Sequence, residues 1–252
     1  METARPMIQV ENTTRLYGAL KAVDRVSFAV ERDEIVGFVG PNGAGKSTVL
    51  KMLSTYIHPT EGRVRVDGHD TVEAPLAVRR RIGYLSGDTP LYQDMRVDKF
   101  LLFVGRARGL RGAALREGFE RAVELCGVGP VLLQRVHQCS TGYRQRVGLA
   151  TALIHDPPVL LLDEPTHGFD PLQVMAFRDM LRRLKSGKAI LFSTHIASDV
   201  EAVSDRVLII NRGRILGDGT LDRLAEESTM PGASLEEIFA RRVQLAGERD
   251  NG

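Results

Sequence analysis

The sequence predicts an α/β fold: a mostly parallel sheet covered by helices on both faces. Three observations predict it. Short apolar runs at 35–39, 82–85, 159–162, 189–192 and 207–210 recur with helical patterns among them. A glycine-rich loop, Gly-Pro-Asn-Gly-Ala-Gly-Lys-Ser-Thr at 40–48, follows the first of these runs directly. Residues from about 97 to 156 carry helical spacing and no convincing strand, so a helical subdomain is expected between sheet strands.

Each element has its own signal. Residues 8–10, 26–30 and 64–66 are apolar or alternating and lie between turn residues, as strands do. Gly62 and the pair Asp67-Gly68 punctuate the last of them. A helix opens at Lys46. Within the helical stretch, Leu101, Leu102, Val104 and Leu110 recur at helical spacing, as do Leu115, Phe119, Val123 and Leu125. Val147, Leu149, Ala150, Leu153 and Ile154 form a third such set. The tail is polar from about Glu226, then places Leu235, Ile238 and Phe239 at helical spacing, with the last residues expected to fray.

Composition narrows the class. With 43% apolar and 26% charged residues the chain reads as an ordinary globular protein able to bury a proper core. A net charge of +2 argues against nucleic acid as its main partner. Cys126 and Cys139 make no disulfide framework and lack metal-ligand spacing; they read as small buried hydrophobes in a reduced setting. The first residues show no signal-peptide pattern, and no apolar run approaches the roughly 18 residues of a membrane span.

The loop fixes a ligand class. Glycines at 40, 43 and 45 let backbone N–H groups curl around a phosphate chain, with Asn42 and Ala44 between them. Lys46 adds a point charge toward the β and γ phosphates, and the Ser47 hydroxyl can ligate Mg²⁺; Thr48 follows in the same turn. The helix beginning there directs its positive dipole end at the same anion. Val-Leu-Leu-Leu-Asp-Glu at 159–164 supplies a buried strand tipped by two carboxylates. Asp163 can hold Mg²⁺ through water, and Glu164 can polarise a water for in-line attack on a γ-phosphate. Ahead of that strand, Cys-Ser-Thr-Gly-Tyr-Arg-Gln-Arg at 139–146 opens a helix with Ser140 as its N-cap and Gly142 permitting close backbone approach. By itself this segment is an ordinary capped helix.

Taken together, the loop at 40–48, the segment at 140–146, Leu-Leu-Leu-Asp-Glu-Pro at 160–165 and Phe-Ser-Thr-His at 192–195 resemble an ABC-transporter ATPase subunit in order and spacing, over roughly residues 7–224. The resemblance implies a P-loop NTPase fold with a RecA-like mixed sheet core, an N-terminal antiparallel β subdomain and an inserted helical subdomain at about 88–156. The ATPase domain is then residues 1–225, and 226–252 form a short C-terminal helix and tail. It also implies roles by position. Tyr17 resembles the aromatic that stacks on adenine. Ser140 and Gly142 resemble the signature that contacts the γ-phosphate held by a second ATPase subunit. Asp170 resembles the loop that couples two sites, and His195 resembles the switch histidine on the γ-phosphate.

The chain departs from the family pattern in three places. The signature begins Cys-Ser-Thr-Gly rather than Leu-Ser-Gly-Gly, and His167 stands where Ser or Asn is usual. Gly87, in Ser86-Gly87-Asp88, replaces a Gln that senses Mg²⁺ or the attacking water. Asp88 or a water is the candidate partial substitute, against the plainer reading of Asp88 as a solvated loop acid. The stretch Ser-Gly-Asp-Thr-Pro-Leu-Tyr at 86–92 resembles the sodium-extrusion branch of bacterial exporter ATPases and, more loosely, drug- and polysaccharide-exporter ATPases. Leu91, Tyr92, Met95, Val97, Phe100 and Leu101 are expected to divide between subdomain core and a surface for a membrane partner. Arg79, Arg80 and Arg81 read as a solvated helix face.

The function so implied is ATP binding and hydrolysis that energises export through a separate integral membrane permease subunit. The chain carries one phosphate loop and one signature, so it is expected to pair, most simply as a homodimer, on the inner face of the cell membrane. An importer subunit would more often carry Gln at position 87 and an extra C-terminal β domain. A DNA- or ribosome-acting relative would carry tandem domains, coiled coils or basic arms.

Overall fold

The computed structural model describes residues 5–87 and 90–250. The chain opens with a hairpin of β1 (Ile8–Tyr17) and β2 (Leu20–Val30), which pair antiparallel. β3 (Glu34–Val39) leads through the glycine-rich loop into α1 (Lys46–Leu53). β4 (Glu61–Val66) and the short β5 (His69–Asp70) return to the hairpin. α2 (Pro75–Arg81) then runs into β6 (Ile82–Leu85).

Helices follow: α3 (Val97–Ala107), α4 (Gly112–Cys126) and α5 (Thr141–Leu153). β7 (Val159–Asp163), α6 (Pro171–Leu184), β8 (Ala189–Thr194), α7 (Ala197–Val203) and β9 (Arg206–Asn211) alternate strand and helix. β10 (Arg214–Gly219), α8 (Leu221–Glu227) and α9 (Leu235–Asp250) close the described chain.

Two sheets result. An antiparallel sheet has the order β2-β1-β4-β5. The other has the order β10-β9-β3-β8-β7-β6 and is parallel except for β10, which pairs antiparallel with β9. Alternation along the strands of this larger sheet sorts side chains onto two cores. Ile35, Leu160, Leu162, Ile190, Phe192, Val207 and Ile209 face the cluster shared with α3 to α9. Val36, Phe38, Val159, Leu161, Leu191, Leu208 and Ile210 face the cluster shared with α1 and the antiparallel sheet. Burial on both faces explains why these strands read as continuous apolar runs.

Arg206 links the two sheets: its guanidinium bonds the Glu34 and Asp218 carboxylates and the Ala29 carbonyl of β2. The register matters most at the carboxyl ends of the parallel strands. Val39 lies opposite Thr194, and Asp163 opposite Ser193. The loop after β3, Glu164 after β7 and His195 after β8 are therefore neighbours, at the sheet edge where α/β folds place ligands.

The structure also corrects some expectations. β1 extends through the polar residues 11–15 to Tyr17, with register shifts that mark bulges. β5 and β10 carry no clear apolar alternation and were not anticipated. The chain stays helical to Asp250, past the point where fraying was expected. Cys126 and Cys139 are both free and buried, as read from sequence. Val97, Phe100 and Leu101 belong to the core, whereas Tyr92 and Phe103 are exposed, with their rings 5.7 Å apart edge to face.

Candidate functional site

The glycine-rich loop is built around a backbone that side chains disfavour. Gly45 has φ +112°, and a Cβ there would lie 2.6 Å from the Ala22 carbonyl of β2. The hairpin thus packs directly against the loop, which is also held by a bond from Gly213 N–H to the Ala44 carbonyl. α1 begins at Lys46 with no side-chain cap, so its first-turn N–H groups remain available to an anion. Asn42, Gly43 and Ser47 are exposed, Thr48 is half-buried, and Gly40, Ala44, Gly45 and Lys46 are buried.

Lys46 donates to the Gly40 carbonyl at 2.6 Å and the Pro41 carbonyl at 3.1 Å. Its ammonium lies 3.9 Å from Glu164 Oε1. Burial pushes the lysine's pKa down, and the Glu164 and Asp163 carboxylates push back.

The acids are fixed by β8. Ser47 Oγ donates to Asp163 Oδ1 at 3.1 Å, and Ser193 Oγ donates to the same oxygen at 2.5 Å. Glu164 N–H donates to the Ser193 carbonyl at 3.1 Å and contacts Ser193 Oγ at 3.3 Å. Glu164 itself adopts φ +48°, an uncommon left-handed conformation for a non-glycine residue. That turn directs its carboxylate between Lys46 and His195, whose Nδ1 lies 2.9 Å from Glu164 Oε2. A carboxylate only accepts, so Nδ1 carries the proton. His195 is half exposed and borders a cavity of about 240 Å³ with Gly40, Pro41, Leu235, Glu236 and Phe239.

Lys46, Ser47, Asp163, Glu164 and His195 therefore converge. Ser140, Gly142 and Asp170 form a second cluster, and among the described residues no hydrogen bond joins them to the 40–48 loop. Ser140 caps α5 by accepting from Tyr143 N–H at 3.3 Å, and Asp170 caps α6 by accepting from Gln173 N–H at 2.9 Å. The two caps meet at Gly142, where a Cβ would stand 2.7 Å from Gln173 Oε1 and 3.2 Å from the Gly168 carbonyl.

Tyr17 ends β1, 43% exposed, with the Arg15 guanidinium 4.8 Å from its ring centre. Gly87 sits beside Asp163: a Cβ there would be 3.8 Å from Asp163 Oδ2, an ordinary contact. Asp88 lies outside the described residues.

Three supporting groups escaped the sequence reading. Ser193 stands inside the Phe-Ser-Thr-His segment, one residue from Thr194 and two from His195, yet it organises both acids. Gln145, inside the signature segment, donates from Nε2 to the Glu164 carbonyl at 3.1 Å and the Pro165 carbonyl at 3.3 Å. Asp199 is buried and accepts from Thr166 Oγ1 at 2.9 Å and Arg178 Nη2 at 2.7 Å, tying the segment after Glu164 to α6 and α7. Positions within a recognised motif were the available signal for the first two. Asp199 had none.

Comparison with known proteins supports one family. Residues 23–167 match the profile of the ABC transporter family. The chain is 41% identical over 209 residues to the ABC transporter ATP-binding protein NatA of Bacillus subtilis (strain 168), covering 82% of this chain and 85% of that protein. It is 36% identical over 222 residues to the daunorubicin resistance ATP-binding protein DrrA3 of Streptomyces coeruleorubidus, covering 88% and 70%. Its fold superposes on the dimeric bacterial ABC transporter cassette MJ0796 with a TM-score of 0.79 at 26% identity, over 85% of this chain and 99% of that one. With a glycine loop, paired strand-tip acids and a histidine brought to one sheet edge on a P-loop fold, the chain belongs to the ABC transporter family, as an ATP-binding subunit.

Proposed function

We propose that this subunit binds ATP with Mg²⁺, hydrolyses it, and uses the cycle to drive export through a separate integral membrane permease. The observation that carries the reading is the convergence on Glu164. Its carboxylate is held between Lys46 at 3.9 Å and His195 at 2.9 Å, next to the loop that can cradle phosphates. A carboxylate so placed can take a proton from a water lined up on the γ-phosphate. Lys46 and the first-turn N–H groups of α1 offset charge on the β and γ phosphates. With the ring doubly protonated, His195 Nε2 can donate to a γ-phosphate oxygen while Nδ1 keeps Glu164 in place.

Ser47 and Asp163 fit a magnesium ion. A hydroxyl and a carboxylate oxygen lie side by side, and this ion keeps most of its waters and takes few protein oxygens. When bound, it would offset negative charge on the phosphate chain. Tyr17, exposed at the end of β1, would stack on adenine.

The separate cluster of Ser140, Gly142 and Asp170 supports pairing. These groups do not reach the chain's own loop and would complete the site of a second subunit, most simply an identical copy; the cassette of similar fold is dimeric. ATP touching both halves only when closed shifts the population toward closure. Likeness to a daunorubicin resistance ATP-binding protein supports export as the direction. No helix among the described residues is long and apolar enough to cross a membrane, so the permease supplies the path. The subunit works at the inner face of the cell membrane, with no nucleic-acid partner.

The test is Glu164→Gln. Phosphate release should fall about 10²- to 10⁴-fold, the range for a general base. Light scattering should show a dimer in saturating ATP and a monomer after its removal. A monomer throughout would overturn the pairing, and unchanged phosphate release would overturn the role of Glu164.

A further inference from the structure

The Glu164 main chain is gripped from two sides. On one side Ser193 of β8 receives its N–H. On the other, Gln145 of α5 donates to its carbonyl and to that of Pro165, at 3.1 and 3.3 Å. Both neighbours of the Gln145 side chain are carbonyl oxygens, so only its NH₂ end fits there, and both of its protons are used. Among the described residues, these are the hydrogen bonds that join α5 to the main chain at 164–165. Glu164 needs such support because it holds φ +48°, a conformation that surrounding structure must enforce.

We propose that Gln145 is a positioning residue for Glu164 of its own chain. By holding the two carbonyls, its amide sets the direction in which the Glu164 carboxylate enters the site between Lys46 and His195. The proposal rests on the reading of Glu164 as the group that polarises the attacking water. Without the amide, the Glu164 carbonyl keeps only the turn bond from the His167 N–H at 3.1 Å and the Pro165 carbonyl loses its α5 donor, so the peptide at 164–165 is less firmly aimed and the carboxylate moves off its line to the γ-phosphate. Gln145 and these two carbonyls lie outside the 40–48 loop and Tyr17, so ATP binding is expected to be left intact. The role is distinct from that of the Ser140–Gly142 turn of the same helix, which would act on a second subunit's nucleotide.

Two variants test it. Gln145→Met keeps the length and removes the donors; Gln145→Glu keeps the shape and sets acceptors against acceptors. In both, kcat for ATP hydrolysis should fall about 10- to 100-fold, the cost of a misaimed reacting group, while KM for ATP stays within about twofold. Melting temperatures measured alongside separate this from unfolding. Unchanged kcat, or a rise in KM with kcat intact, overturns the proposal.

Mixed dimers then assign the side. When one chain carries Glu164→Gln and the other Gln145→Met, the remaining intact glutamate has lost its amide, and hydrolysis should drop about tenfold or more below the Glu164→Gln/wild-type dimer. With both substitutions in one chain beside a wild-type partner, the rate should equal that of the Glu164→Gln/wild-type dimer. Loss in the second arrangement overturns the proposal, since α5 would then be acting on the other subunit's nucleotide. If Glu164→Gln alone leaves hydrolysis unchanged, the reading of Glu164 fails. If the chains do not pair, dimerisation fails, and the single-variant kcat and KM still decide the role of Gln145.

Discussion

Alanine at Gly45 and alanine at Gly43 should have very different costs, although both glycines belong to the same loop and both have positive φ. Gly43 has φ +79° with nothing within 4 Å of where a Cβ would sit. Its replacement pays only left-handed backbone strain, about 1–2 kcal/mol. Gly45 has φ +112°, further from any conformation an L-residue tolerates, which costs about 1–3 kcal/mol. Its Cβ would also lie 2.6 Å from the Ala22 carbonyl, with Ile210 Cδ1 at 3.3 Å behind it. The carbonyl is backbone in β2, so the loop must move instead, adding roughly 1–3 kcal/mol as in an overpacked core. Gly45→Ala is therefore expected to exceed Gly43→Ala by about 1–4 kcal/mol. The assay is urea unfolding without nucleotide and with EDTA, followed by circular dichroism. With a slope near 3 kcal/mol per molar, the two midpoints should stand about 1 M apart. Midpoints within about 0.2 M of each other would refute the reasoning, because the hairpin would then not be pressing on the loop.

Three further outcomes are expected. His155 donates from Nε2 to the Ile82 carbonyl at 3.0 Å, and burial, then the Arg108 guanidinium, push its pKa down to about 4. The unfolded chain takes up that proton near pH 6.5 and the folded chain does not, so stability falls as pH drops from about 6.5 toward 4. Between pH 7.5 and 5 this group should cost about 2 kcal/mol, and His155→Gln should lose that much less in urea titrations at the two pH values. Asp199→Ala strips the carboxylate from Arg178 and Thr166 and should cost about 2–4 kcal/mol, read as a melting temperature lower by roughly 5–12 °C; Asp199→Asn should lie between it and wild type. Ser193→Ala removes the hydroxyl that donates to Asp163 and meets the Glu164 N–H, which keeps its bond to the main-chain carbonyl at 193; phosphate release should drop about tenfold or more while the protein stays folded by circular dichroism.

Much of this was legible in the sequence where a physical demand falls on neighbouring residues. The 40–48 loop, the apolar run ending in Asp163 and Glu164, and the capped start of α5 each satisfy their chemistry locally. The doubly buried strands announce themselves because both faces must be apolar. What stayed hidden depends on distant parts of the chain. β10 pairs at the sheet edge beside β9, and its sequence, Arg-Ile-Leu-Gly-Asp-Gly, shows no alternation to read. Thr166, Arg178 and Asp199 meet only after α6 and α7 pack. Ser193 and Gln145 lay inside recognised segments, yet their duties appear only when β8 and α5 come to either side of Glu164.

The C-terminal helix brings residues from far along the chain to the edge of the candidate site. Leu235 and Ile238 are fully buried in the same cluster as Val39, Val200 and Leu224. Leu235, Glu236 and Phe239 form one wall of the cavity that holds Gly40, Pro41 and His195. Leu235 N–H is anchored on Glu201 Oε1 at 2.6 Å, on the helix that follows His195. A protease nick at 229–234, or a chain shortened there, would therefore strip a wall from the pocket itself, far along the sequence from the glycine loop. The span matched by the family profile ends at residue 167, short of both His195 and this wall. A chain cut to that span would keep the residues of the glycine loop but lose β8 and β9, the strands on either side of β3, together with His195 and this wall.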